Sequence, residues 1–174
     1  MKNWYMLTLV GEDRPGIVAK VTSALFEAGG NLGEASMVRL GGTFSIMLMV
    51  QYEGSGESLE KIVAPVCDAL ELRRHVDRIE GELHHHLDPD VRISIYGADR
   101  AGIVAETTGA LAEAGLNILN LESDVGGTPD HPIYIMEIEG LAGKGVEALQ
   151  EVLDRLAEEK KVETRLTPID VMMG

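Results

Sequence analysis

One cysteine, Cys67, serves the whole 174-residue chain, so no disulfide can form within it and nothing covalent staples distant segments together. Aromatics are scarce at 4%, with a single Trp, two Phe and four Tyr. A sheet that stacks RNA bases needs aromatic and basic residues on its central strands, and this composition argues against one. Basic side chains are also few, 15 against 29 acidic ones, for a formal charge of −14. Such a surface repels a phosphate backbone rather than neutralising it, which speaks against direct nucleic-acid binding. No stretch approaches the roughly 20 apolar residues that cross a bilayer. The opening MKNWYMLTLVGED meets acidic residues after a short apolar run, unlike a secretory signal. The expectation is a cytoplasmic protein with no membrane contact.

What the chain does have is a repeat. GEDRPGIV begins at Gly11 and GADRAGIV at Gly97, and from Gly11–Asn31 to Gly97–Asn117 the same residue recurs at 14 of 21 positions. A period this long, with copies of domain size, predicts two small domains rather than one average one. The expected boundaries are 1–83 and 90–174, joined by residues 84–89, where Pro89 favours extended backbone before it. Domains this small sit near the limit at which one core is sufficient, so a homodimer is expected.

Within each copy the hydrophobic period switches in the same order. In copy one, WYMLTLV alternates as a strand and runs into Gly11. Ile17, Val18, Val21, Ala24, Leu25 and Ala28 then line one helix face, and Gly29 ends that helix. A strand from Leu32 to Leu40, a Gly41-Gly42 turn and TFSIMLMV make a hairpin. A second helical stripe runs through Leu59, Ile62, Val63, Val66, Ala69 and Leu70, with Pro65 predicting a kink. A last strand is expected around His75 to Leu83. Copy two repeats the order: Val91–Tyr96, a helix from Gly102 to Ala114, strands near Leu116–Val125 and Ile133–Glu139, a helix from Gly145 to Ala157, and Val162–Ile169. Its hairpin is longer, with GGTPDHP for the Gly-Gly turn. The fold class is α+β: two ferredoxin-like βαββαβ domains, each an antiparallel sheet with both helices on one face. The third strand of copy one is apolar at both parities, so the open sheet face is expected to be covered, copy against copy or chain against chain.

The repeated loop is the candidate site. A strand ends, the chain turns, and a helix starts near Pro15, presenting backbone N–H groups and the positive end of a helix dipole. Such a place suits a carboxylate or phosphate. Asp13 beside it suits an ammonium group, and Gly16 permits close approach to the backbone. A zwitterion needs both halves. The alternative for Asp13 is an N-cap that satisfies the helix's own N–H groups, and for Asn31 and Asn117 a purely local turn role. A Walker-type phosphate loop is excluded, because its terminal Gly-Lys-Ser/Thr is missing.

Other residues invite chemistry and lack the company it needs. His84 and His86 could share one ion, yet no further ligand stands at a characteristic spacing, and His84–His86 read as a solvated linker. No metal or cofactor site is expected. Cys67 falls beside an apolar helical stripe and reads as a small core residue without an activating partner. No nucleophile and base, and no paired carboxylates, share an element, so the chain is not expected to be an enzyme.

DRPGIV after a strand, the helix ending EAGGN, and the βαββαβ order resemble an ACT domain, the amino-acid-sensing module attached to many metabolic enzymes. GEDRPGIVAKVTSALFEAGGNL followed by GADRAGIVAETTGALAEAGLNI resembles the glycine-cleavage-system repressor family of paired ACT proteins, over nearly the whole chain. The resemblance implies a regulator that binds a small amino acid, glycine or serine first, through the strand-to-helix loops. Position by position it points to Asp13, Arg14, Pro15, Gly16, Ile17 and Asn31, and to Asp99, Arg100, Gly102, Ile103 and Asn117; Ala101 departs from the pattern's Pro. It also implies transcriptional regulation, which at this charge must act through a protein partner. The alternative is an accessory subunit that regulates a metabolic enzyme.

Overall fold

The computed structural model describes residues 2–80, 87–98 and 102–169. The chain divides into two units, Met1–Leu83 and His84–Gly174; His84, His85 and His86 lie outside the described residues. Unit 1 runs β1 (Asn3–Glu12), α1 (Ile17–Glu27), β2 (Asn31–Leu40), β3 (Thr43–Tyr52), α2 (Gly56–Ala69) and β4 (Arg73–Arg78). Unit 2 runs β5 (Val91–Ala98), α3 (Ile103–Glu113), β6 (Leu116–Thr128), β7 (His131–Ala142), α4 (Val146–Lys160) and β8 (Glu163–Pro168). Each is the expected ferredoxin-like βαββαβ unit, with sheet orders β2-β3-β1-β4 and β6-β7-β5-β8 and every pairing antiparallel.

The elements follow from their side chains. On β1, Tyr5, Leu7 and Leu9 are buried, and on β3 Phe44, Ile46, Leu48 and Val50 face the same side. The helices bring Ile17, Val21 and Leu25, and Leu59, Val63 and Cys67, at steps of four residues onto that face. Unit 2 answers with Val91, Ile93 and Ile95, with Tyr134, Met136 and Ile138, and with Leu149, Leu153 and Leu156. Each large side chain so buried contributes roughly 1.5–3 kcal/mol. Cys67 is therefore core, as its position beside the stripe suggested. α1 ends in a Schellman motif: Gly29 N–H donates to Phe26 and Gly30 N–H to Leu25, both at 2.9 Å.

Several boundaries differ from the sequence reading. α1 starts at Ile17 rather than near Pro15, whereas α2 holds Pro65 within Gly56–Ala69, in line with the stripe read through Leu70. β4 spans Arg73–Arg78, beginning two residues before the expected His75; residues 81–83 of the expected strand lie outside the described residues. Counterparts in the two units lie 86 residues apart as far as the hairpin and 90 apart beyond it, Phe44 answering to Tyr134, since the β6–β7 hairpin is longer.

The open sheet faces of the two units differ. In unit 1 the face opposite the helices has the cross-strand pairs Met6–Met49 and Thr8–Met47 at its middle, with Val10–Ser45 beside them. In unit 2 the same pairs are Arg92–Glu139 and Ser94–Glu137. Arg92 Nη2 reaches Glu139 Oε1 at 2.6 Å, and Glu137 accepts from Ser94 at 2.8 Å and Tyr96 at 3.1 Å. Beside them on the same face Tyr96 pairs with Ile135, so the two open faces differ at the middle rather than throughout.

Candidate functional site

The repeated loop lies where β1 ends and α1 begins. Gly16 occupies the N-cap of α1 at φ 84°, ψ 2°, and Gly102 the N-cap of α3 at φ 87°, ψ −9°. These are left-handed conformations that favour glycine; a Cβ on Gly16 would meet nothing within 4 Å, so conformation and not crowding sets the requirement. Neither helix has a side-chain cap hydrogen bond. Asp13 is therefore not the cap, and the alternative role raised for it falls away. The first intrahelical bond runs from Lys20 N–H to the Gly16 carbonyl at 3.0 Å. The N–H groups of Ile17, Val18 and Ala19 precede it and are the donors that a helix start leaves without intrahelical partners.

Gly11 and Gly97 recur for a different reason. A Cβ on Gly11 would stand 2.6 Å from Leu72 Cδ2, and one on Gly97 2.5 Å from Val162 Cγ1. The chain entering β4 or β8 presses on the strand just before the loop and fixes where the turn begins.

Charges close around the first loop. Asp13 Oδ2 lies 2.7 Å from Arg39 Nη2, and the Asp13 N–H donates to the Gly42 carbonyl at 3.3 Å. Arg14 Nη2 donates to Glu12 at 2.9 Å and to Glu71 at 2.7 Å. Hydrogen bonds to Glu12, then to Glu71, raise the already high pKa of Arg14. Arg39, Glu71 and Gly42 were not among the sequence-derived candidates. Antiparallel topology brings them there: Glu12 pairs with Thr43 at the hairpin, and β4 enters beside Gly11.

The structure gathers Asp13, Arg14, Pro15, Gly16 and Ile17 at one end of the unit 1 sheet. Asn31 stands at the other end, paired with Gln51, which pairs in turn with Trp4. The strand steps from Trp4 to Glu12 separate the two ends by about 26 Å at roughly 3.3 Å per residue. Asn117 is likewise at the far end of β6, opposite Leu141, while β5 enters its loop at Ala98. No small ligand touches both a loop and its own unit's asparagine. In unit 2, Gly102 and Ile103 hold the same places as Gly16 and Ile17, whereas Asp99 and Arg100 lie outside the described residues.

The charged surroundings do not repeat. Glu12 answers to Ala98, Arg39 to Val125 and Glu71 to Lys161, the last two in matching backbone positions: Arg39 pairs with Phe44 and Val125 with Tyr134, while Glu71 and Lys161 share φ near 55° and 52°. The second loop thus lacks the two acidic neighbours and gains a basic one. Among the described residues no group of three metal-ligating side chains converges, and no helix is long and apolar enough to cross a membrane.

Comparison with known proteins matches these units to one family. Models of the ACT domain match residues 5–77 and 91–158. A solved structure of an unknown protein from Galdieria sulphuraria superposes with TM-score 0.79 at 24% identity, covering 98% of this chain and 100% of that one. A candidate glycine cleavage system transcriptional repressor superposes with TM-score 0.72 at 20% identity, covering 98% and 99%. The UPF0237 protein YjhC of Lactococcus lactis subsp. lactis is 40% identical over 50 residues, 29% of this chain and 58% of that relative's length.

Proposed function

The chain belongs to the ACT-domain family, which it carries as two tandem copies, and we propose that it is a non-catalytic regulator that binds a small amino acid at its strand-to-helix loops. The observation that carries this reading is the uncapped helix start behind a left-handed glycine in both units. Three backbone donors and a helix dipole converge there on a place for a carboxylate. In unit 1 an acidic side chain, Asp13, stands beside them for the ammonium group. Glycine and serine are the first candidates, because their side chains ask for no pocket beyond the loop.

Regulation follows through a protein partner. A surface of charge −14 is poorly suited to touch DNA, so control of transcription, which the resemblance to a candidate glycine cleavage repressor suggests, runs through a second protein. The amino acid shifts the regulator between arrangements only by as much as its affinity differs between them, and the partner changes amino-acid affinity by the same factor. The active form is a cytoplasmic homodimer. Asn31 and Asn117 take no part in a ligand held at their own unit's loop, since each is remote from it.

The two loops are not equal in this reading. Asp13 and Arg14 are already paired, whereas in the second copy's sequence Ala98, Val125 and Lys161 stand where Glu12, Arg39 and Glu71 supply those pairings. The second loop is the better anion site. A thermal-shift screen of the purified chain against the twenty amino acids tests binding: stabilisation by one small amino acid supports the reading, and none refutes it. A pull-down with and without that amino acid separates a DNA-binding activator from a metabolic enzyme, the latter supporting the accessory-subunit alternative.

A further inference from the structure

The open face of unit 2 carries its chemistry in order along β7. At alternate positions that strand presents Glu139, Glu137, Ile135 and Ile133 on the face, an acidic half followed by an apolar half. The neighbouring strands extend both halves: β6 sets Glu122 against Glu137, and β5 sets Tyr96 against Ile135. Tyr96 is 37% and Ile133 47% exposed. Arg92 pairs with Glu139, whereas Glu137 accepts from the neutral hydroxyls of Ser94 and Tyr96. Among the described residues Glu122 has no hydrogen-bond or ion-pair partner. Like charges set directly across a strand pair destabilise a sheet. Unit 1 builds the same sheet with Ser36 against Met47 at these two places, so the fold itself has no need of the acids. A depression of about 360 Å³ lies at the opposed pair, lined by Arg92, Asn120, Glu122, Glu137 and Glu139.

We propose that this face is the docking surface for the regulated protein, and that its occupant is an extended basic segment of the order Arg-x-Arg-x-apolar-x-apolar. Charge complementarity selects it: the acidic half calls for cations, and a planar guanidinium offers two carboxylates a fork of donors. The apolar half asks for apolar side chains at the same spacing of two residues. From Glu139 to Ile133 is six strand steps, about 20 Å, which exceeds the reach of a metal ion or a single amino acid. Nucleic acid and anionic lipid are repelled by the same carboxylates. A polypeptide supplies cations and apolar groups in this order, and complementary charge fixes its register. The contact presupposes regulation through a protein partner, but it needs no amino acid at the loops.

The probe is a blocked heptapeptide, Arg-Ser-Arg-Ser-Leu-Ser-Leu, which in extended form carries that order on one side. Glu-Ser-Glu-Ser-Leu-Ser-Leu is its control. Titrated at about 0.15 M salt into the isotopically labelled full chain, the first should shift the amides of Tyr96, Glu122 and Glu137 saturably, and the second should not. Glu122→Gln relieves the opposed charges, so the unfolding midpoint should rise while peptide affinity falls about threefold or more. Glu122→Gln with Glu137→Gln should weaken the peptide at least about tenfold. Glu151→Gln with Glu158→Gln removes equal charge from exposed positions on α4 and should weaken it less than about twofold. Equal weakening by the two double variants overturns the docking surface, as do saturable shifts centred elsewhere or none at all. A midpoint that falls in Glu122→Gln also overturns it, since the acid then serves the fold. The peptide is titrated without amino acid, so a negative result here is separate from the outcome of the thermal-shift screen for the loops.

Discussion

If Asp13 receives the ammonium group of a bound amino acid, its existing partner competes with the ligand, and substitutions of the two residues must act with opposite signs. Asp13 and Arg39 are 2.7 Å apart but 29% and 63% exposed. A pair so open to solvent is worth about 0.2–1 kcal/mol. Breaking it by Arg39→Val, which installs the residue found at the counterpart Val125, should raise amino-acid affinity at the first loop by up to about fivefold. Asp13→Asn keeps the shape and removes the charge. Loss of a charge-assisted hydrogen bond costs about 1.5–3 kcal/mol, so affinity should fall by roughly 10–150-fold. Neither change should cost more than about 1 kcal/mol of stability, since neither residue is core. Titration calorimetry in an Asp99→Ala background isolates the first loop. Equal affinities in Arg39→Val, Asp13→Asn and the parent refute Asp13 as the ammonium acceptor, and a fall in Arg39→Val makes Arg39 a ligand contact instead of a competitor.

Further outcomes follow from individual contacts. Gly16→Ala forces an alanine to φ 84° and should cost about 1–2 kcal/mol, read by urea unfolding. Tyr5→Phe removes a hydrogen bond to the Gly54 carbonyl at 2.5 Å; at about 1 kcal/mol this lowers the melting temperature of a unit of this size by roughly 4–8 °C. Burial raises the pKa of the Cys67 thiol. The folded state then holds a proton that the unfolded state releases, so stability attributable to this group is complete below the ordinary thiol pKa, about 8.5, and declines as pH rises above it. Cys67→Ala should flatten that alkaline decline in a pH series of unfolding midpoints.

Much of this architecture is written locally. The repeat, the change from period two to helical period, and the glycines that end each helix yield the element order, because each depends on residues close in sequence. The hidden parts are long-range. Asp13 looked like a helix cap from its neighbours alone, yet its partner Arg39 comes from a hairpin that topology carries to the end of β1. Glu71 reaches Arg14 from the turn before β4 for the same reason. Asn31 was grouped with the loop by the repeated motif, and strand register places it about 26 Å away. The open faces were half legible: Phe44 to Val50 is apolar at both parities, but the charged counterpart emerges only when β3 is aligned to β7 across a longer hairpin.

The central claim is that a small amino acid is held by the N–H groups at the two helix starts, and amide chemical shifts report on those groups directly. Titrating the isotopically labelled chain with glycine and with serine should move Gly16, Ile17 and Val18, or Gly102, Ile103 and Val104, saturably and before other amides. Saturable shifts confined elsewhere, or no shifts with either amino acid or any of the other eighteen, would contradict it.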